Sequence, residues 1–209
     1  MARGSDTRTR ILDAAQELVL EHGFASTTVD AVLAGAQASK GAFFHHFPTK
    51  ADLGLALVER YAAADADTLE RLLKAAEAQT DDPAEQLIAF MVAFEEAVEE
   101  LAGAQPGCLF VSFIYEADLA GSGTDEIVIE SIEQWRERIL EKLELAFERR
   151  PKPPIDLPSL ADMGFSIFQG GYLLARALDD PLALRRQVAH VRHYFELLFG
   201  LPVGPDRPR

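Results

Sequence analysis

The sequence predicts an all-α fold, and three observations carry that prediction. Apolar residues recur at three- and four-residue spacing along most of the chain. Strand-like alternation of any length does not occur, nor does an internal repeat. Capping residues and Gly/Pro breakers fall between the periodic runs, where helices start and stop. With 209 residues, 48% of them apolar, the chain has enough material for a real core.

Each helix follows from its own residues. From Thr9 to Leu20 the positions Ile11, Leu12, Ala15, Leu18 and Val19 make one apolar face, with Ser5 or Asp6 as N-cap and Gly23 as stop. Thr27 or Thr28 caps a short helix ending near Ala36, with Val29, Val32 and Leu33 apolar. Ser39 caps another, through about Phe47; Pro48 ends it and Thr49 caps the next. That helix runs from Lys50 into the 70s and breaks at "TDDP", Thr80 to Pro83. Helices over roughly 84–102, 108–120, 125–149, 159–178 and 182–199 follow. They are parted by "GAQPG", "GSGT", the loop "RRPKPPIDLP" and "DDP". The tail "PVGPDRPR" is expected to fray. The chain divides into a three-helix head, 1–52, and a helical body, 53–209.

The net charge is −14. Residues 1–50 balance five basic side chains (Arg3, Arg8, Arg10, Lys40, Lys50) against five acidic ones, so the remainder supplies the whole excess. A neutral head with basic points thus sits on an acidic body that repels phosphates. No apolar run is long enough for a membrane span, and "MARGSDTRTR" lacks a signal peptide's apolar stretch, so a cytoplasmic location is expected. The single cysteine, Cys108, suits a reducing compartment.

The stretch "SKGAFFHHFPTK", Ser39 to Lys50, carries the chemistry. His45 and His46 stand about 100° apart on a helix and do not converge on one ion. His190 and His193 have i, i+3 spacing but no third ligand. No metal site is expected. Phe43 and Phe47 share an i, i+4 face that packs inward. Lys40 and Phe44 share another, with His45 beside it. A short helix with one apolar face and one of Lys, aromatic and His, preceded by a second short helix and a tight turn, suits a helix-turn-helix. Its second helix would enter a DNA major groove with Ser39, Lys40, Gly41 and Ala42 leading.

From Arg8 to Tyr61 the chain resembles the DNA-binding domain of the tetracycline-repressor (TetR) family. The resemblance rests on "ILDAAQELVLEHGF", "TTVDAVL", "SKGAFFHHF" and "KADL" in this order and spacing. It implies a dimeric repressor with a ligand-binding C-terminal domain, and no cofactor. It implies that Thr27 or Thr28 meets a phosphate, and that Ser39, Lys40, Gly41, Ala42 and His45 lie in or beside the groove. Lys50 and Arg8 would meet the backbone, and Arg3, Arg8 and Arg10 could reach the adjacent minor groove. Phe44 stands where the family usually has tyrosine, whose hydroxyl contacts a phosphate. Gln37 stands where it usually has the turn glycine, so a positive φ there is expected at some cost. "VDAVL" is similar to a branch that also carries "GCL", as at Gly107 to Leu109.

In the body, Phe90, Phe94, Cys108, Phe113, Trp135, Phe168 and Tyr172 are either core or, as the resemblance implies, lining for an apolar or aromatic small-molecule effector. Cys108, in the first turn of a predicted helix, is either a reactive thiol or a small buried hydrophobe. The last two helices are either internal core or, as the resemblance implies, the homodimer interface. Gly164, Phe168, Gly171 and Ala175 lie on one, and Val188, Val191 and Phe195 on the other. Two heads would then read a palindromic duplex. A helical enzyme finds no nucleophile–base grouping, phosphate loop or metal set. A ligand- or protein-binding module of the same fold with DNA binding weakened or lost is the remaining alternative.

Overall fold

The computed structural model describes residues 2–104, 107–116 and 123–204, with backbone alone at 2–5 and 99–104. Among the described residues there are nine α-helices and no strand. They are α1 (Ala2–His22), α2 (Val29–Ala36), α3 (Lys40–His46), α4 (Lys50–Glu77), α5 (Pro83–Ala104), α6 (Leu109–Tyr115), α7 (Thr124–Glu148), α8 (Leu157–Ala177) and α9 (Ala183–Phe199). Outside the described residues fall the side chains of Arg3 and Ser5, Gln105 and Pro106 of the expected turn, 117–120 of the expected apolar helix, Gly121 and Ser122, and the tail from 205.

The chain forms two compact units, each drawn from two stretches. One comprises residues 1–65 and 105–131, the other 66–104 and 132–209. The first therefore takes more than residues 1–52: it adds the first part of α4, all of α6 and the first turns of α7.

In the first unit α1 begins at Ala2, ahead of the caps expected at Ser5 or Asp6, and ends at Gly23 with φ +83°. Its face Ile11, Leu12, Ala15 and Val19 is buried as the spacing predicts. Gly35 of α2 lies so close to α1 that a Cβ there would stand 3.1 Å from the Ala14 Cβ. Thr28 caps α2, accepting from the Ala31 amide at 3.2 Å. Gln37 ends it in the left-handed region at φ 50°, and the Ala38 amide bonds back to the Leu33 carbonyl at 3.0 Å. Glutamine thus occupies the position a glycine would fill without strain. Thr49 and Asp52 bond reciprocally at the start of α4: the Thr49 amide donates to Asp52 Oδ2 at 2.9 Å and the Asp52 amide to Thr49 Oγ1 at 3.1 Å.

The second unit has one core. Leu69, Leu73, Leu87, Phe90, Leu143, Leu184, Val188, Val191 and Phe195 all belong to it. Helix α9 packs against both α8 and α5. The space between α8 and α9 admits no side chain at Gly171, where a Cβ would meet Leu184 Cδ1 at 2.7 Å. The described part of the tail is not frayed. The Leu201 amide bonds to the Glu196 carbonyl at 2.8 Å, and the Gly204 amide to Glu196 Oε2 at 3.1 Å.

Asp82 joins two tasks in this unit. It caps α5, accepting from the Ala84 amide at 2.9 Å, and pairs with Arg150 through two hydrogen bonds of 2.9 and 2.7 Å. The Arg150 hydrogen bond is the main reason its carboxyl lies below the usual aspartate value. A depressed folded pKa means stability that is present above the unfolded value, near 4, and lost as pH falls through the folded one. Asp82→Ala is expected to cost about 1–3 kcal/mol at pH 7 through the lost cap and charged pair. The difference from wild type should narrow below about pH 4, as read by urea unfolding across pH.

Candidate nucleic-acid interface

Helix α3 presents two faces, as the spacing predicts. Phe43 is buried, with its ring centroid 5.8 Å from that of buried Phe47. On the other side Ser39, Lys40, Gly41, Phe44 and His45 are exposed and Ala42 is half-buried. Phe44 is 44% exposed, large for an aromatic, and its ring meets Phe43 edge-on at 5.2 Å. Ser39 caps the helix by accepting from the Ala42 amide at 3.2 Å.

Gly41 is the informative residue of this face. A Cβ built on it meets nothing within 4 Å, so packing within the chain does not demand a glycine. Glycine inside a helix is about 1 kcal/mol worse than alanine. The bare backbone of Gly41 leaves the start of α3 open on its exposed side.

Arg8 is exposed beside α3, its guanidinium 5.4 Å from the Phe47 ring centroid. Arg10 stands near Asp6 at 3.9 Å and donates to Thr7 Oγ1 at 3.3 Å. His45 and His46 lie edge-to-face at 5.1 Å on adjacent positions. Among the described residues no group of three or more His, Cys, Asp or Glu gathers as metal ligands.

Two of the residues expected at the DNA, Thr27 and Lys50, turn their polar groups inward. Thr27 is only 3% exposed, and its hydroxyl donates inward to the Gly23 carbonyl at 2.8 Å. Thr28 is the exposed member of the pair and the true helix cap. Lys50 turns its amine inward, donating to the Phe24 carbonyl at 2.7 Å and the Ala25 carbonyl at 3.2 Å, over the Phe24 ring at 4.5 Å. Burial lowers its pKa, and the charge of Glu116 opposes that shift. Position in the sequence alone could not reveal this, since the partner carbonyls lie twenty-five and twenty-six residues earlier.

In the second unit, Phe90, Phe94, Trp135, Phe168 and Tyr172 form a chain of ring contacts. Centroid distances run from 4.9 to 6.1 Å. Phe113 and Cys108 belong to the first unit. Phe113 is fully buried with its ring 5.2 Å from Phe24, a packing role. Cys108 is buried one residue ahead of α6 at its N-cap position, not in its first turn, and its thiol does not cap the helix.

The expected dimer stripe is also corrected. Val188, Val191 and Phe195 face the unit's own core, Phe168 joins the aromatic chain, and Gly171 abuts Leu184. Gly164, open around its Cα, and Phe168 and Ala175, all three half-buried, keep some surface. The large apolar side chains left exposed on α8, its C-cap and α9 are Leu173, Leu174, Leu178, Tyr194 and Leu197. The i, i+3/i+4 pattern marked an apolar stripe correctly, but a two-sided amphipathic helix has two such stripes, and the pattern does not say which one turns inward.

A capped α2, a tight turn and a short α3 with one face in the core and the other open to a groove define a helix-turn-helix DNA-binding regulator. The family model described as bacterial regulatory proteins of the tetR family matches residues 11–57, and the tetracyclin repressor-like C-terminal domain matches residues 83–191. The chain belongs to the TetR family. It is 27% identical to the HTH-type transcriptional repressor NemR of Escherichia coli (strain K12) over 201 residues, 90% of this chain and 93% of that protein. A TetR-family regulator from Agrobacterium tumefaciens shares the fold at TM-score 0.77 and 21% identity, covering 92% of this chain and 98% of that one. Regulatory protein TetR from Rhodobacter sphaeroides superposes at TM-score 0.68 with 28% identity, over 92% and 96% of the two chains. No helix among the described residues is long and apolar enough to cross a membrane.

Proposed function

We propose that this chain is a homodimeric cytoplasmic repressor that binds a palindromic operator and leaves it when a small-molecule effector binds. The observation that carries the DNA-binding part is the open face of α3, with Gly41 bare where the fold asks for no glycine. Ser39, Lys40, Ala42, Phe44 and His45 flank it, and Arg8 and Thr28 serve the phosphates on either side. Thr27 and Lys50 support the turn behind them. Release requires that the effector favour the unbound state over the DNA-bound one. The chain of rings from Phe90 to Tyr172 supports an apolar or aromatic effector in the second unit. Leu173, Leu174, Leu178, Tyr194 and Leu197 replace the buried stripe as the proposed dimer face.

The test is a salt titration of binding to duplexes recovered from random-sequence DNA and to the region upstream of the gene. Phosphate contacts make specific binding fall steeply with salt. Negligible binding to every duplex would instead favour a ligand-binding module without DNA, a reading to which Phe44 and the inward Thr27 and Lys50 lend some support. Gly41→Ala gives opposite signs on two measurements. Helix propensity is expected to stabilise the protein by up to about 1 kcal/mol in thermal unfolding. The added methyl on the groove face is expected to weaken specific binding by about ten-fold or more.

A further inference from the structure

The turn between α1 and α2 is held by side chains from far along the chain. Within the turn, the Gly23 amide bonds to the Val19 carbonyl at 2.8 Å and the Thr27 amide to the Phe24 carbonyl at 3.2 Å. The Ala25 amide has no partner in the turn itself. It donates to Glu116 Oε2 at 2.6 Å, ninety-one residues away at the C-cap of α6. The second carboxylate oxygen lies over Gly23: a Cβ there would stand 2.6 Å from Glu116 Oε1 and would displace the carboxylate, apart from the strain of φ +83°. Three residues earlier on α6, Phe113 packs its ring on Phe24 at 5.2 Å. Lys50 completes the grip from the first residue of α4, donating to the Phe24 and Ala25 carbonyls.

The gripped turn leads directly to Thr28, the cap of α2, and α2 leads through Gln37 to α3. A charge-assisted N–H···O⁻ bond is roughly twice as strong as a neutral one. At 2.6 Å it does not survive displacement of α6 by about an ångström.

We propose that Glu116 is a positioning residue for DNA binding: its carboxylate, bonded to the Ala25 amide, sets the α1–α2 turn and through it the seat of α2 and α3. The inference rests on the DNA-binding reading given above.

Charge gives the test its sign. Removing one negative charge from a chain of net −14 should, on electrostatics alone, tighten binding to any duplex. Glu116→Gln and Glu116→Ala remove the same charge, but glutamine still offers the Ala25 amide an acceptor oxygen. The full-length variants are titrated with a duplex that the wild type recovers from random-sequence DNA and with an unrelated duplex of equal length. Hydrogen exchange is followed at the Ala25 and Val32 amides. Glu116→Ala is expected to lose about ten-fold or more on the recovered duplex. It should hold or gain on the unrelated one, and exchange faster at both amides. Glu116→Gln is expected to keep most of the specific affinity and of the Ala25 protection. Wild-type affinity of folded Glu116→Ala for the recovered duplex, or equal losses on both duplexes, overturns the proposal. If the wild type recovers no duplex at all, the DNA-binding reading fails by itself. Unchanged exchange at Ala25 in Glu116→Ala would separately show that the carboxylate does not hold the turn.

Discussion

Replacing Arg192 by methionine is expected to cost about 3–5 kcal/mol of folding stability, the usual loss when one partner of a buried charge network is removed. Arg192 donates to Glu95 Oε1 at 2.6 Å and to Glu196 Oε1 at 2.9 Å, and all three side chains are only 4% exposed. Burial works against the Arg192 charge, but hydrogen bonds and charge from both glutamates outweigh it and raise its pKa above the usual value. Methionine fills the space of the stem and leaves two carboxylates buried without their cation. In a chain of this size the loss corresponds to a fall of roughly 10 °C in the thermal midpoint. Glu196 also anchors the Gly204 amide, so hydrogen exchange at Gly204 should quicken in the same variant. The triple replacement Arg192→Met, Glu95→Leu, Glu196→Leu should recover most of the loss, because no charge is left stranded. Thermal unfolding at one fixed protein concentration decides it, since association shifts the midpoint. A loss under about 1 kcal/mol for Arg192→Met would mean the glutamates find water or protons at little cost.

Leu173→Asp with Leu197→Asp is expected to abolish the dimer and, with it, specific operator binding. The two leucines are 69% and 68% exposed, on α8 and α9. Burying a leucine side chain is worth about 1.5–3 kcal/mol. In the proposed dimer four such side chains would meet across a two-fold, so their loss, with four aspartates facing one another, would exceed what a dimer of ordinary affinity can tolerate. Each protomer should still fold, because both positions lie outside its core. Sedimentation should report a monomer with wild-type helix content. Operator affinity should fall by about two orders of magnitude or more, since one head engages a single half-site. A variant that sediments as a dimer places the interface elsewhere. The contrasting change, Val191→Asp, should unfold the second unit instead, since Val191 is buried within its core.

The order of helices was legible because it depends on local physics. Ser39 and Thr49 are caps, Gly23 and Pro48 are stops, and Phe43 with Phe47 is an inward face; each is decided within about one helical turn of sequence. The positive φ at Gln37 was implied by the resemblance, because the family usually has glycine at that turn. The helix-turn-helix and the exposed half of α3 follow from such signals, and the family from the resemblance of the motifs between Arg8 and Tyr61. Errors came where two neighbouring or like residues compete for one role. Thr27 and Thr28 offer the same chemistry, and only packing shows that Thr27 turns to the Gly23 carbonyl while Thr28 caps α2. On α9, Val191 and Leu197 are both apolar at helical spacing, and only the position of α5 and α8 decides which is core.

By itself, then, the sequence determined the order of the helices, most of their ends and the two faces of α3. These rest on propensities and hydrogen bonds that reach no further than three or four residues. Tertiary structure alone decided which long-range partners each polar side chain found. It gave the Lys50 amine to the carbonyls of Phe24 and Ala25, the Glu116 carboxylate to the Ala25 amide and Arg192 to Glu95. Such pairings span twenty-five to ninety-seven residues. They are set by which surfaces the packed helices bring together, and no spacing rule encodes that.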